Sequence, residues 1–145
     1  DCVEFFNWAN DPAVREQSLS PSTIQLDDHK KWFSEKISSN TCEIYVMEAF
    51  GLPVGQVRFE KSAAVAEINY SLDKIVRNRR WASVMLEMAM QMFGQKCSST
   101  LIARVKSSNA KSSAVFKQLG FSEVPSQDPS LLTFNLELES KVFGR

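Results

Sequence analysis

The sequence is poor in the residues that hold metals or build disulfide frameworks. It has one histidine, His29, and three cysteines, Cys2, Cys42 and Cys97, in 145 residues. No two cysteines form a CxxC pair, so no structural zinc site and no metal ligand is expected. Widely spaced thiols in odd number fit a reducing cytosol better than an oxidised framework. An excess of one charge is missing too, since 17 Lys and Arg balance 17 Asp and Glu. No overall field draws this chain to nucleic acid or an anionic membrane, so any anion site has to be local. No run approaches the ~20 apolar residues that span a bilayer. The acidic opening DCVEFFNWAND lacks the basic segment and apolar stretch of a signal peptide. Together these absences point to a soluble, cytoplasmic protein.

What is present fits one domain over residues 1–145, 43% hydrophobic and 10% aromatic, with ten Phe and three Trp to fill a core. The spacing predicts a helix from Asp1 to Asn10 with Val3, Phe6 and Ala9 on one face. Asp11-Pro12 then restarts the chain as an N-cap followed by proline at the first helical position. Leu19 to Thr23 reads as a loop. A further helix begins at Leu26, with Leu26, the stem of Lys30, Phe33 and Ile37 in a stripe and Trp32 beside it. Asp27 and Asp28 suit the positive end of its dipole.

Ile44–Glu48, Val54–Glu60 and Val65–Leu72 are short, β-branched and aromatic, and read as an antiparallel meander with Gly51, Pro53 and Lys61-Ser62 in the turns. A helix from Trp81 to Phe93 carries Ala82, Met85, Leu86, Ala89, Met92 and Phe93 at helical spacing, and Met85, Met88 and Met92 read as core-filling side chains. Leu101–Lys106 is a strand. Asn109 caps a short helix that stops at Gly120, and Phe121–Val124 and Leu131–Leu138 close the sheet. This order predicts an α/β fold, a mixed and mostly antiparallel sheet with helices on both faces.

Chemistry is concentrated in Ser71–Ser83, where a strand end, a basic turn and a helix start follow one another. Free N–H groups at a helix start make a phosphate site. Lys74, Arg77, Arg79 and Arg80 place four cations there, which oppose the dipole unless an anion compensates them. A solvated basic turn is the alternative.

This segment resembles the cofactor motif of the GNAT family of N-acetyltransferases, Arg/Gln-x-x-Gly-x-Gly/Ala. Arg77 matches its first position and Ala82 its last, while Arg80 stands where the family usually has glycine. Val105–Asn109 followed by Ala114–Phe121 resembles the family's second signature, with Phe116 where a proton-donating Tyr is common. Phe6–Arg15 and Ile24–Phe33 are similar to a branch with ribosomal-protein N-terminal acetyltransferases and sugar-nucleotide N-acetyltransferases of nonulosonic acid pathways. The family's opening strand has no counterpart ahead of the first helix.

The resemblance implies acetyl-CoA as co-substrate, its contacts at Leu72, Arg77, Arg79, Arg80, Trp81, Ala82, Ser83, Asn109 and Phe116. It also implies direct attack by an amine on a thioester polarised by backbone N–H at the end of the Val65–Leu72 strand. Strand parity puts Glu67 on one face with Asn69 and Ser71, which makes it the first candidate base, with a solvent-facing carboxylate as the alternative. His29 is the second candidate, with a structural role as the alternative. The acceptor is expected near Asn10, Arg15, Trp32 and Tyr70. Candidate acceptors are an amino-sugar nucleotide and a peptide N-terminus. Arg80 and Phe116 would suit a CoA-binding module that has lost catalysis. A homodimer stays open.

Overall fold

The computed structural model describes residues 2–17, 22–77, 80–96 and 99–138. Helices α1 (Cys2–Ala9), α2 (Pro12–Gln17) and α3 (Leu26–Ser38) open the chain. Strands β1 (Cys42–Ala49), β2 (Leu52–Ser62) and β3 (Val65–Leu72) follow. A 3₁₀ turn at Lys74–Val76 leads into α4 (Trp81–Gly94), β4 (Ser99–Lys106), α5 (Ala110–Gln118), β5 (Ser122–Val124) and β6 (Leu131–Leu138). The six strands make one sheet in the order β1-β2-β3-β4-β6-β5. Every pairing is antiparallel except β3 with β4. The expected mixed sheet is therefore present, and no strand precedes α1 among the described residues. No helix among them is long and apolar enough to cross a membrane.

Alternation along the strands sorts the two faces. Gly55, Val57 and Phe59 of β2, Ile68 and Leu72 of β3, and Leu101, Ala103 and Val105 of β4 are buried beneath α4 and α5. Phe93 stacks flat on Phe59 at 4.2 Å between centroids, and Phe116 packs among Tyr70, Phe121 and Phe134. Each fully buried Phe contributes about 2–3 kcal/mol through lost apolar surface. The opposite face, with Gln56, Arg58, Glu67 and Asn69, lies toward α1 and α3.

The caps form as the sequence predicts. Asp11 Oδ1 accepts from Ala13 N at 3.0 Å, and Asn109 Oδ1 accepts from Ser112 N at 3.2 Å. Gly120 closes α5 at φ +96°, a conformation natural to glycine. The β1–β2 hairpin turns on Phe50 and Gly51, both with positive φ, as two-residue hairpins favour. Pro53 and Lys61-Ser62, expected in turns, belong to β2. Proline is tolerated there because the β1–β2 register shifts beside it, between Met47 and Glu48.

Three helix faces differ from the expected stripes. In α1 Phe5 and Trp8 are buried while Val3 is 61% exposed. Apolar residues nearly encircle this helix, and burying its two bulkiest suitable rings removes the most surface from water. In α3 the buried residue is His29, whereas Leu26 and Ile37 are exposed. The helix meets α1 through the rings of His29 and Phe33, which rotates its stripe. In α4 Met85 and Met90 are buried but Met88 and Met92 face outward. Its buried stripe runs Met85, Leu86, Ala89, Met90, Phe93, so Met92 lies a quarter-turn off it.

Candidate active site

The parallel pairing of β3 with β4 covers only Val65↔Thr100, Ala66↔Leu101 and Glu67↔Ile102. Beyond Glu67 the strands part, and a cleft of about 1360 Å³ opens between them, reaching the starts of α4 and α5 and the inner sides of α1 and α3. Asp73 N donates to Val54 O across the β2 edge at 2.8 Å. N–H groups alternate in direction along a strand, so those of Tyr70 and Leu72 point the other way, into the gap. The Leu72 carbonyl on that side is already taken by Arg77, from Nε at 3.0 Å and Nη2 at 2.8 Å.

Arg77 is thus a brace for the basic turn. Its Nη1 also donates to Asp11 Oδ1 at 3.1 Å, tying the turn to the α1–α2 junction. Asp73 completes the brace, accepting from Ile75 N and from Trp8 Nε1, both at 3.0 Å. Burial pushes the Asp11 carboxyl up, but hydrogen bonds from Arg77 and Ala13 outweigh it and hold the group below its ordinary value. The Asp73 carboxyl is also held low, first by the Ile75 N–H and then by Trp8.

Arg80 is the N-cap of α4 and adopts φ 60°, ψ 16°, the left-handed conformation. That conformation explains why glycine is usual at this place in the motif. A non-glycine residue there carries a strain of about 1–2 kcal/mol. Its side chain is exposed and makes no capping bond, so the first N–H groups of α4, at Trp81, Ala82 and Ser83, have no side-chain cap. Lys74 is exposed on the 3₁₀ turn. Arg79 and Cys97 lie outside the described residues, as does most of the loop expected from Leu19.

On the α5 wall, Phe116 is buried with its ring edge-on to Tyr70. Asn109, besides capping α5, donates from Nδ2 to Ser112 Oγ at 3.2 Å. Ser112 Oγ and the Tyr70 hydroxyl lie 2.7 Å apart, and burial pushes the Tyr70 phenol up despite that bond. Ser112 was not singled out in the sequence; its position three residues after a capping Asn is the signal that marks it.

Glu67 shares its face with Asn69 and Ser71 as parity predicts, and lines the cleft. Its Oε2 is 2.5 Å from Arg104 Nη2, a partner two positions along β4 from Ile102. His29 is 3% exposed, and its Nε2 lies 3.1 Å from the Cys2 carbonyl, so Nε2 carries the proton. Burial pushes its pKa down, against the pull of the Cys2 carbonyl, so the ring is neutral at pH 7. Asn10 clasps Ile24 through two bonds of 2.8 Å. Arg15 donates to Ala9 O at 2.6 Å and Ser22 O at 3.1 Å. Both fasten the α1–α3 layer, and Arg15 also lines the cleft. Trp32 carries the Arg58 guanidinium over its ring at 4.9 Å. Tyr70, placed with the acceptor in the sequence, has its side chain on the opposite, α5 face of β3.

No curated protein matches the sequence significantly. The fold is shared with many solved structures. One is a spermidine N-acetyltransferase from Vibrio cholerae in complex with CoA and spermine, at TM-score 0.81 and 14% identity, covering 95% of this chain and 90% of that one. Another is a ribosomal-protein-alanine N-acetyltransferase from Brucella melitensis, at TM-score 0.76 and 19% identity, covering 95% and 94%. A third is yncA of Salmonella typhimurium, a putative acetyltransferase with acetyl-CoA, at TM-score 0.77 and 16% identity, covering 100% and 92%. The family model described as an acetyltransferase (GNAT) domain matches residues 1–122. The chain therefore belongs to the GNAT family, an N-acetyltransferase whose acyl donor is acetyl-CoA.

Proposed function

We propose that this chain transfers the acetyl group directly from acetyl-CoA to a primary amine held between the sheet and helices α1 and α3. The observation that carries this is the gap at the β3 end, where the N–H groups of Tyr70 and Leu72 have left the ladder beside an uncapped helix start. An N–H there can donate to the thioester oxygen as negative charge develops on it. The amine nitrogen attacks the carbonyl carbon, the C–N bond forms, and the C–S bond breaks. The opening amides of α4 at Trp81, Ala82 and Ser83 would hold the pyrophosphate, with Arg79 and Arg80 adding charge. Leu72 and Arg77 shape the turn, while Asn109 and Phe116 form the wall along the CoA arm.

Two protons have to move. Glu67, through a water, takes the one lost by the attacking ammonium, and the unprotonated Nδ1 of neutral His29 is the second candidate. The thiolate must gain a proton, which Phe116 has none to give. The Tyr70 hydroxyl is coupled to Ser112, and the Tyr70 ring packs edge-on against Phe116, which makes this O–H the candidate donor. Tyr70→Phe should lower kcat roughly 10²-fold and leave acetyl-CoA affinity within about twofold. Unchanged kcat would return this proton to water or the product ammonium.

For the acceptor, an amino group on a sugar nucleotide is the first reading, supported by the similarity over Phe6–Arg15 and Ile24–Phe33. There Asn10 and Arg15 act by positioning, and Trp32 by contact. A protein N-terminus is the second, supported by the shared fold with a ribosomal-protein-alanine enzyme. Free-thiol release from acetyl-CoA, compared between amino-sugar nucleotides and short peptides, separates the two. Acetyl-CoA binding with no release for either would instead favour a non-catalytic CoA module.

A further inference from the structure

The face of β2 toward α3 presents Gln56, Arg58 and Glu60 in alternation, and its charges are unevenly matched. Glu60 is held by Lys36, and Glu67 by Arg104. Arg58 is left over. Its Nε is 3.6 Å from Glu60 Oε2, an ion-pair distance too long for a hydrogen bond. That Nε is buried without a hydrogen-bond partner, although the Arg58 side chain lines the cleft. Two residues earlier, Gln56 is 5% exposed and also lines the cleft. Its Nε2 donates to Ser71 Oγ at 3.3 Å, which anchors the amide, and its Oε1 has no partner.

One face of one strand therefore holds a buried, unfilled acceptor and a buried, unfilled cationic donor. Same-face neighbours on a strand are about 6.5–7 Å apart. Buried polar atoms left unpaired are rare in folded proteins, because each forfeits its hydration. Trp32 holds the Arg58 guanidinium in place, so the donor is oriented before anything binds.

We infer that the acceptor is an amine that also carries an anionic group, a carboxylate or a phosphate. Its nitrogen donates to Gln56 Oε1, and an anionic oxygen accepts from Arg58 Nε. This rests on the transferase reading only in treating the bound amine as the acetyl acceptor.

The test is equilibrium binding of matched pairs to the protein, with CoA at millimolar concentration. One pair is an amino acid and its amide, the other an amino-sugar phosphate and the unphosphorylated amino sugar. In at least one pair the anionic member should bind roughly tenfold tighter or more, and which pair shows it tells carboxylate from phosphate. Arg58→Gln should collapse that difference to within about twofold, and Arg58→Lys should restore part of it by returning the charge. Equal binding in both pairs, binding of no member, or a preference that survives Arg58→Gln overturns the inference. Thiol release from acetyl-CoA is followed in parallel. An anion preference in binding without thiol release strikes the transfer step and leaves this site standing.

Discussion

At Arg80 one residue joins backbone strain to charge. The left-handed conformation is set by how the turn enters α4, and an arginine holds it at a cost that glycine would avoid. Arg80→Gly should therefore not destabilise the protein, and should gain up to about 1 kcal/mol, read from denaturant midpoints. If the side chain also pairs with phosphate, raising salt should weaken CoA binding less in Arg80→Gly than in the parent. A salt response identical in both would leave the motif working on backbone amides alone. Glu67 poses a different question, because Arg104 already holds its carboxylate. Glu67→Gln keeps the shape and loses the basicity. Turnover should fall roughly 10²-fold, and the acidic limb of the pH–rate profile should disappear. Turnover within about threefold of the parent would make Glu67 a structural partner of Arg104 only. The choice of Glu67 was legible from strand parity; Arg104 was not, because it lies across the parallel pairing, 37 residues along the chain.

Among the elements, the turn between β3 and α4 is held by two carboxylates together with the buried Val76. Asp11 braces Arg77, and Asp73 braces Trp8 and the Ile75 N–H. Both have pKa values lowered from 3.8. A lowered folded pKa means the stability is present above the unfolded value and is lost as pH falls through the folded one. Acetyl-CoA affinity and thermal stability should therefore both drop as pH falls below about 4. Asp73→Asn should be less stable at neutral pH and flatter across that acid window. An acid dependence in Asp73→Asn equal to that of the parent would show that the brace carries no stability. The sequence marks this turn as a basic anion site, yet Arg77 faces inward. Its partner, Asp11, comes from another element and is invisible to motif spacing.

Across the whole molecule, the sheet has two halves, β1-β2-β3 and β4-β6-β5, joined by three residue pairs. α4 and α5 pack across that join, and the cleft opens at its unpaired end. A ligand lying there contacts both halves and the starts of both helices. Acetyl-CoA at about 100 times its Kd should stabilise the fold by about 2.7 kcal/mol, a rise in melting temperature of roughly 5–10 °C. Replacing Ala82 by a large residue at the α4 start should remove that rise while leaving the unliganded melting temperature within a few degrees. A parent protein with no rise at millimolar acetyl-CoA would contradict the assigned site.

The order of elements, the meander and the caps at Asn109 and Gly120 were all legible in local sequence. Alternation, helix-start chemistry and glycine punctuation act over a few residues, and each leaves its mark there. Tertiary structure decided which side of α1, α3 and α4 is buried, because helices apolar on several sides are turned by the rings they meet. It also decided that Arg77 braces a turn, that Tyr70 and Ser112 share a hydroxyl pair, and that Gln56 Oε1 and Arg58 Nε have no hydrogen-bond partner. Each of those depends on residues brought together from distant parts of the chain, and a hydrogen bond exists only once both ends are in place.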